Sequence, residues 1–314
     1  MTLISSGWTV IGIRRNREDF NGYSMNLEKE VICGYEVSAK MKRIWAMELE
    51  MVKRFVSVCE QYDLTYFIMG GTLLGAVRHK GFIPWDNDID LAMPRKDFDK
   101  LLEIGPKVFE KPLFFQTPVT EKGRFFCTYV KIRDERGTAG SQEDFDLGIN
   151  CGMFIDVFCL DEIPDSKIRR RLYVRQLNEI AKMARFSMHR KMAGGFVNNI
   201  KHGLQKAVFK YVYGSPNASQ LFGIYQKKAG SFAGKDTKEV AHLAFGYHDV
   251  YVWKQQDWKE KTKLDFEDIQ LFAPVGYEAV LARQYGDYMR IPEDKSTHDY
   301  IEFDPDVPYD RFFN

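Results

Sequence analysis

The chain has little cysteine: five in 314 residues, at Cys33, Cys59, Cys127, Cys151 and Cys159. They form an odd set without a C-x-x-C pair, which argues against a zinc ribbon and a disulfide framework and fits a reducing compartment. Long hydrophobic runs are also missing. The best, from Phe67 to Val77, is interrupted by glycines and falls short of the roughly 18–20 apolar residues a membrane span needs. The opening MTLISSGWTVIGIRR has no early basic stretch before a long apolar core, so no secretory leader is expected. Neither sign of charge dominates: 45 Lys and Arg stand against 44 Asp and Glu, for a net +1. Global charge therefore does not point to nucleic acid. Internal repeats and low-complexity tracts are absent. The expectation is a soluble, cytoplasmic chain, 45% hydrophobic and long enough for one large domain or two modest ones.

What is present begins at Ser38, a plausible helix N-cap. After it, Ile44, Met47, Met51, Phe55, Val58 and Cys59 recur at three- and four-residue steps, the period of a helix with one buried face. LTYFIM reads as a short buried strand ended by Gly70-Gly71, TLLGAVRHK as a short helix, and GFIPWD as a loop, because Pro84 biases Ile83 toward extended backbone. DIDLAM alternates acid with apolar and reads as a strand, followed by Pro94 at the first turn of a helix, RKDFDKLLEIG. PLFFQTP, FFCTYVKIRD and GMFIDVFCL are three further strand candidates. The expected organisation is an N-terminal extension at 1–37, an α/β (α+β) catalytic core with a mixed sheet at 38–165, a basic helical region at 166–240 and a C-terminal segment at 241–314. In the last of these, KLDFEDIQLFAPVGYEAVLARQYGDYM reads as strand, loop and helix.

The chemistry concentrates in MGGTLLGAVRHKGFIPWDNDIDLAM, Met69 to Met93. On a strand, residues i and i+2 share a face, so Asp88 and Asp90 project together while Ile89 and Leu91 enter the core. Asp86 stands just before them. Carboxylates beside a core strand are costly unless paired or metal-bound, and carboxylate and water ligands suit a hard cation such as Mg²⁺ that bridges to phosphate oxygens. The competing plain reading is a solvated acidic turn, disfavoured by the apolar flanks. An EF-hand loop is excluded because Leu91 stands where its glycine is needed and Asp97 where its bidentate glutamate is needed. Asp156 interrupts the apolar run CGMFIDVFCL; alone it reads as a backbone-satisfied strand aspartate, but on a strand beside Asp88 and Asp90 it joins their cleft. There it completes a metal shell or takes a proton from an attacking hydroxyl.

Gly70, Gly71 and Thr72, between strand and helix, let backbone approach a ligand and offer free N–H groups to an anion. An ordinary tight turn is the equal alternative, since neither a P-loop nor G-x-G-x-x-G is present. Arg78, His79 and Lys80 read either as solvated helix-end cations or, for Arg78, as a phosphate clamp. Lys131 and Arg133 share a strand face in VKIRD, either on a surface or toward the site.

These pieces together resemble the nucleotidyltransferase-like superfamily. GGTLLGAVRHKGFIPWDNDIDLAMPR is similar, more closely, to the LicD family of phosphotransferases and the fukutin-related proteins. YVKIRDERGT, GMFIDVF and the stretch from FEDIQLFAPVGYEAVLARQYGDYM to His298 continue the likeness, so that it covers about 38–162 and 262–300. The resemblance implies transfer of a substituted phosphate, phosphocholine or a phospho-polyol, from a CDP-linked donor to a sugar hydroxyl of a surface glycan, lipopolysaccharide or teichoic acid precursor. It implies Mg²⁺, with Mn²⁺ as alternative, at Asp88 and Asp90, Asp156 as third carboxylate and base, and Asp86 just outside. Gly70, Gly71, Thr72, Arg78, His79, Lys131, Arg133 and His298 are then the substrate-binding candidates. Asn87, where the family often has aspartate, and the compressed FAPVGYE turn are departures. Tyr285 and Tyr288 read as core.

Residues 166–210 hold twelve Lys or Arg and one acid, Glu179, with Phe196, Ile200, Leu204 and Val208 at four-residue steps. The plain reading is a solvated helix face. The sharper one is peripheral contact with an anionic membrane at its inner face; nucleic acid is not expected, because no nucleic-acid motif accompanies the charge. The functional rivals are a D-x-D glycosyltransferase using a nucleotide-sugar, and an inactive membrane-associated binding protein.

Overall fold

In a computed structural model the described residues are 25–188, 216–293, 295 and 301–313. Helix α1 (Ala39–Gln61) starts where Ser38 Oγ accepts from the Met41 N–H at 3.1 Å. The apolar positions read from its period are all buried. It ends at Tyr62, ahead of Asp63 with φ +51°. Strand β3 (Phe67–Ile68) follows, then α2 (Gly70–Arg78), β4 (Asp90–Pro94) and α3 (Arg95–Val108). The glycine pair is therefore the first turn of α2 rather than a turn ahead of it.

A seven-stranded mixed sheet forms the centre. Its axis is β8 (Met153–Glu162), ten residues, seven of them apolar, buried except at Glu162. On one side β8 pairs parallel with β4, which pairs antiparallel with β3. On the other, its first half pairs antiparallel with β6 (Val130–Asp134), itself joined to β5 (Leu113–Gln116). The end of β8 pairs with β9 (Glu239–Ala241), which pairs with β10 (Val252–Lys254). The α+β class expected from the sequence is the class observed. The sheet runs on past 165 through β9 and β10, and the expected boundary at 240 falls inside β9. FFCTYVKIRD contributes only its last five residues as strand.

Helices α5 (Lys167–Met188) and α6 (Ala218–Ala229) pack on the β9 end through Tyr173, Leu177, Ala181 and Ala184 against Leu221, Phe222 and Tyr225. A short helix α4 (Gln142–Leu147), capped by Ser141, follows β7 (Thr138–Gly140). The C-terminal segment is a hairpin, β11 (Lys261–Phe266) with β12 (Ile269–Pro274), then α7 (Tyr277–Tyr285), two strands where one was expected. Residues 30–37, expected to be loose, form the hairpin β1 (Glu30–Ile32) and β2 (Tyr35–Val37), with Tyr35 set edge-on to Trp85 at 5.9 Å. Strand β13 (Glu302–Asp304) pairs with β7. The stripe at 196–208, Gly194-Gly195 and His298 lie outside the described residues.

Candidate active site

Strand register brings the expected carboxylates together. Asp90 opens β4 and sits opposite Asp156 of β8, and Lys131 of β6 sits opposite Asp156 on the other side. Three adjacent strands thus carry Asp90, Asp156 and Lys131 in one row, and Lys131 Nζ reaches both Asp156 oxygens at 2.7 and 3.0 Å. The Phe154 ring lies under that ammonium, 3.5 Å from its centroid. Period two explains this: Phe154, Asp156 and Phe158 share a face of β8.

Asp86 and Asp88 arrive from the loop before β4 rather than on the strand, so strand parity applies to Asp90 and not to Asp88. The loop is fixed from behind: Trp45 Nε1 of α1 donates to the Asp86 carbonyl at 2.8 Å, and the Asp86 N–H donates to Ile83 O at 2.9 Å. Ile89 and Leu91 are fully buried, as expected. Asp86, Asp88, Asp90 and Asp156 all line one cavity of about 1260 Å³.

The glycine pair is shaped to these carboxylates. Gly70 has φ +55°, and a Cβ there would lie 2.5 Å from Asp90 Oδ2; a Cβ on Gly71 would collide with Asp86 Oδ2. Only glycine allows the first turn of α2 to close on both side chains. Thr72 Oγ1 accepts from the Asp90 N–H at 2.8 Å, locking helix to strand. Burial pushes the carboxyls of Asp86 and Asp90 well above the usual range, and the neighbouring Asp88 adds to the push on both. Asp156 is also raised, by burial against the lowering effect of Lys131.

The remaining expected residues divide. Arg78 lines the cavity, but its Nη1 donates to Tyr288 O at 3.0 Å and Arg290 O at 3.3 Å, and its Nε to His79 Nε2 at 2.9 Å. It ties α2 to the segment after α7. His79 thereby accepts at Nε2, and burial with the adjacent guanidinium lowers it to about 4. Arg133 is buried, giving Nε to Gln116 Oε1 at 2.6 Å and Nη1 to Ala139 O at 2.8 Å and Gly152 O at 2.6 Å; it braces three segments. Tyr285 and Tyr288, expected in the core, line the cavity instead, and Tyr285 is 40% exposed. Burial together with Asp90, Asp86 and Asp88 raises its hydroxyl, which puts those carboxylates near it.

Two features went unread in the sequence. Glu48 is fully buried on α1, and burial plus Asp88, Asp86, Asp156 and Asp90 raises it far above the carboxylate range. Its signal was available: it stands four residues after Ile44 and three before Met51, inside the apolar stripe. The second is an aromatic wall beside the carboxylate row. Tyr129 and Phe158 stand 4.8 Å apart, with Phe245 5.9 and 5.7 Å from them. Phe158 is the i+2 neighbour of Asp156 on β8, so period two would have found it; Tyr129 stands just ahead of β6, where parity does not reach. Among the described residues no three His, Cys, Asp or Glu side chains form a ready-made metal shell.

Comparison with known proteins supplies a class for this pocket of acidic, glycine-lined and aromatic walls. Residues 63–138 match the family described as LicD/FKTN/FKRP, nucleotidyltransferase domain. The chain carries a LicD family domain, as the motifs implied. Over 259 residues it is 28% identical to the lipopolysaccharide cholinephosphotransferase LicD of Haemophilus influenzae, covering 80% of this chain and 92% of that protein. It is 35% identical over 82 residues to the human ribitol 5-phosphate transferase FKRP, 24% of this chain and 16% of that one. A 150-residue stretch is 23% identical to mannosyltransferase regulator 4 of Saccharomyces cerevisiae, 47% of this chain and 11% of that protein. Of these last two the chain spans only a small part. Among the described residues no helix is long and apolar enough to cross a membrane.

Proposed function

We propose that the chain is a phosphotransferase that moves a substituted phosphate from a CDP-linked donor to a sugar hydroxyl of a glycan or lipid-linked glycan precursor, releasing CMP. The row of Asp90, Asp156 and Lys131 across three paired strands, closed by the glycine pair, carries this reading. The names of the Haemophilus and human relatives, both transferases of a phosphate bearing an alcohol, support it.

The donor set fits a divalent cation. Burial and the neighbouring Asp88 hold the carboxyls of Asp86 and Asp90 raised, and Lys131 is the cation in contact with Asp156. Mg²⁺ needs only one or two protein carboxylates when substrate phosphates complete its shell, so the lack of a ready-made three-residue shell does not oppose it. Asp88 and Asp90 would hold Mg²⁺ or Mn²⁺, with Asp156 at its edge and Asp86 steering the loop. Bound there, the cation would neutralise the diphosphate and the charge gathering on the leaving CMP. The chain's own groups do the rest. Asp156, raised by burial but restrained by Lys131, is a base suited to take the acceptor hydroxyl's proton. The acceptor oxygen bonds to the distal phosphorus as the bond to the bridging oxygen breaks, and CMP leaves with that electron pair. Lys131, released from Asp156 once the proton arrives, is placed to meet the phosphate oxygens. Gly70 and Gly71 let the helix N-terminus close on the carboxylates of Asp90, which would hold the cation, and of Asp86.

Tyr129, Phe158 and Phe245 favour a quaternary ammonium such as choline over a polyol as the donor's alcohol, because ring faces attract alkylated cations. The basic face of α5, with Ile168 and Leu172 exposed, supports peripheral contact with an anionic inner membrane surface where a lipid-linked acceptor would be met. The apolar residues Tyr173 and Leu177 are already packed within the protein.

The test is CMP release from CDP-choline and CDP-ribitol, with and without Mg²⁺, followed by ³¹P NMR. Wild type is expected to release CMP only with the cation. Asp88→Asn and Asp90→Asn are expected to melt normally and lose transfer. Full activity in the folded double variant would remove the proposed metal role. Liposome sedimentation with and without anionic lipid tests the membrane contact, and equal pelleting would sink it.

A further inference from the structure

Glu48 has no part in the chemistry above, and its placement asks for an explanation. It lies mid-helix in α1, fully buried, and neither carboxylate oxygen has a hydrogen-bond partner. A buried carboxyl left without a partner costs several kcal/mol in principle, far more if ionised. Proteins rarely keep one without a use, and an unseen ion or water is among the standing explanations. The groups that act on it most strongly after burial are Asp88, Asp86, Asp156 and Asp90, four carboxylates and no cation.

The position is held rather rigidly. One helical turn earlier Trp45 donates its indole N–H to the Asp86 carbonyl and stacks on Phe82 at 4.8 Å. One turn later Val52 is fully buried. Trp45 thus clamps α1 to the backbone of the aspartate loop one turn from Glu48. A methionine or leucine would fill such a buried helix position without electrostatic cost. The position instead holds an acid with both oxygens unpartnered, on the helix clamped to the aspartate loop.

We propose that Glu48 is a further carboxylate of the cation site, serving it from the α1 side while the substrate's phosphates serve it from the cavity. This rests on the cation-dependent reading above. It accounts for both anomalies at once: an orphaned buried acid, and a carboxylate cluster with Lys131 committed to one member.

The experiment measures Mn²⁺ binding to the full chain by electron paramagnetic resonance and calorimetry, and melting with and without Mn²⁺, for wild type, Glu48→Gln and Glu48→Met. Loss of a carboxylate that orients or joins a metal shell weakens metal affinity by about 10- to 100-fold. Both variants are expected to show that loss and a smaller Mn²⁺-induced rise in melting temperature. Without metal, Glu48→Gln should melt at or above wild type, because it removes an acid from among acids. Glu48→Met covers the case in which the glutamine variant does not fold. Wild-type Mn²⁺ affinity in either folded variant would overturn the proposal and leave the phosphotransfer reading intact. Failure of wild type to bind Mn²⁺ would overturn the proposal together with the cation dependence on which it rests.

Discussion

Lys131→Met is the perturbation that separates a working ion pair from a decorative one. Lys131 Nζ meets both Asp156 oxygens, and the two side chains are 13% and 8% exposed. Removing one member of a buried pair leaves the other charge uncompensated and costs about 3–5 kcal/mol; the cavity-facing position argues for the lower end. Replacing both, as Lys131→Met with Asp156→Asn, leaves two neutral groups and should recover most of that cost. Urea unfolding of wild type, both single variants and the double variant forms a cycle, with an expected coupling of roughly 3 kcal/mol. The cost also carries a pH signature. Burial already raises Asp156 and Lys131 opposes that rise, so losing Lys131 raises Asp156 further. A carboxyl whose folded-state pKa exceeds its unfolded value stabilises below the unfolded value and loses that contribution as pH rises. The Lys131→Met penalty should therefore be small near pH 4 and full at neutral pH. In any activity that remains, the acidic limb of the pH profile should move upward. Additive single costs, or a penalty flat across pH, would refute the pair as described.

Gly70→Ala forces an alanine into φ +55° and its Cβ against Asp90 Oδ2; the backbone share alone is about 1–2 kcal/mol. A melting curve should show that loss, while Gly71→Ala, without the left-handed backbone, should keep more stability and still lose transfer by displacing Asp86. His242, buried with Nδ1 unpartnered, is lowered to about 3 by burial and by His248. Its stabilising contribution is complete above pH 6.5 and disappears as pH falls toward 3, amounting to roughly 2 kcal/mol lost by pH 5. His242→Phe, which suits the surrounding rings, should flatten that part of the stability–pH curve in urea titrations. Phe245→Leu should weaken CDP-choline relative to CDP-ribitol in calorimetry by about 2- to 5-fold, the scale of one exposed cation–π contact; an unchanged ratio would remove the aromatic wall from donor choice.

Much of the site was legible because strand periodicity is a local property. Asp156 could be assigned to the cleft from one acid breaking an apolar run, and the register opposite Asp90 follows from it. Arg133 could not be read the same way. Parity places it beside Lys131, but whether an arginine meets substrate or protein depends on carbonyls at Ala139 and Gly152, which no local pattern reveals. The tie from Arg78 to the segment after α7 is equally invisible locally, since two of its acceptors, the carbonyls of Tyr288 and Arg290, lie more than 200 positions away. The extent of the sheet was hidden for another reason. Strands β9 and β10 are three residues each, too short to show a period, yet they extend the central sheet past the basic helices.

The places where local rules break all meet at one point. Gly70 takes a backbone conformation that other residues resist, Asp86 and Asp90 are held where their carboxyls are raised, and Glu48 occupies an apolar stripe without a partner. Each is unfavourable alone, and only the Asn87 N–H on Asp86 Oδ1 at 3.2 Å and the charge of Lys131 acting on Asp90 offset part of it. Had the fold been arranged only for its own stability, an alanine at 70 with a helical backbone and an apolar residue at 48 would have served. Sequences violate such rules at functional sites and compensate elsewhere, here through the apolar β8 strand and the α1 face that clamps the aspartate loop. What would balance all three features is positive charge arriving from outside the chain, as a cation together with the phosphates it brings. That inference draws on the packing of the site and on no relative's name, which makes it an independent support for the phosphotransfer reading.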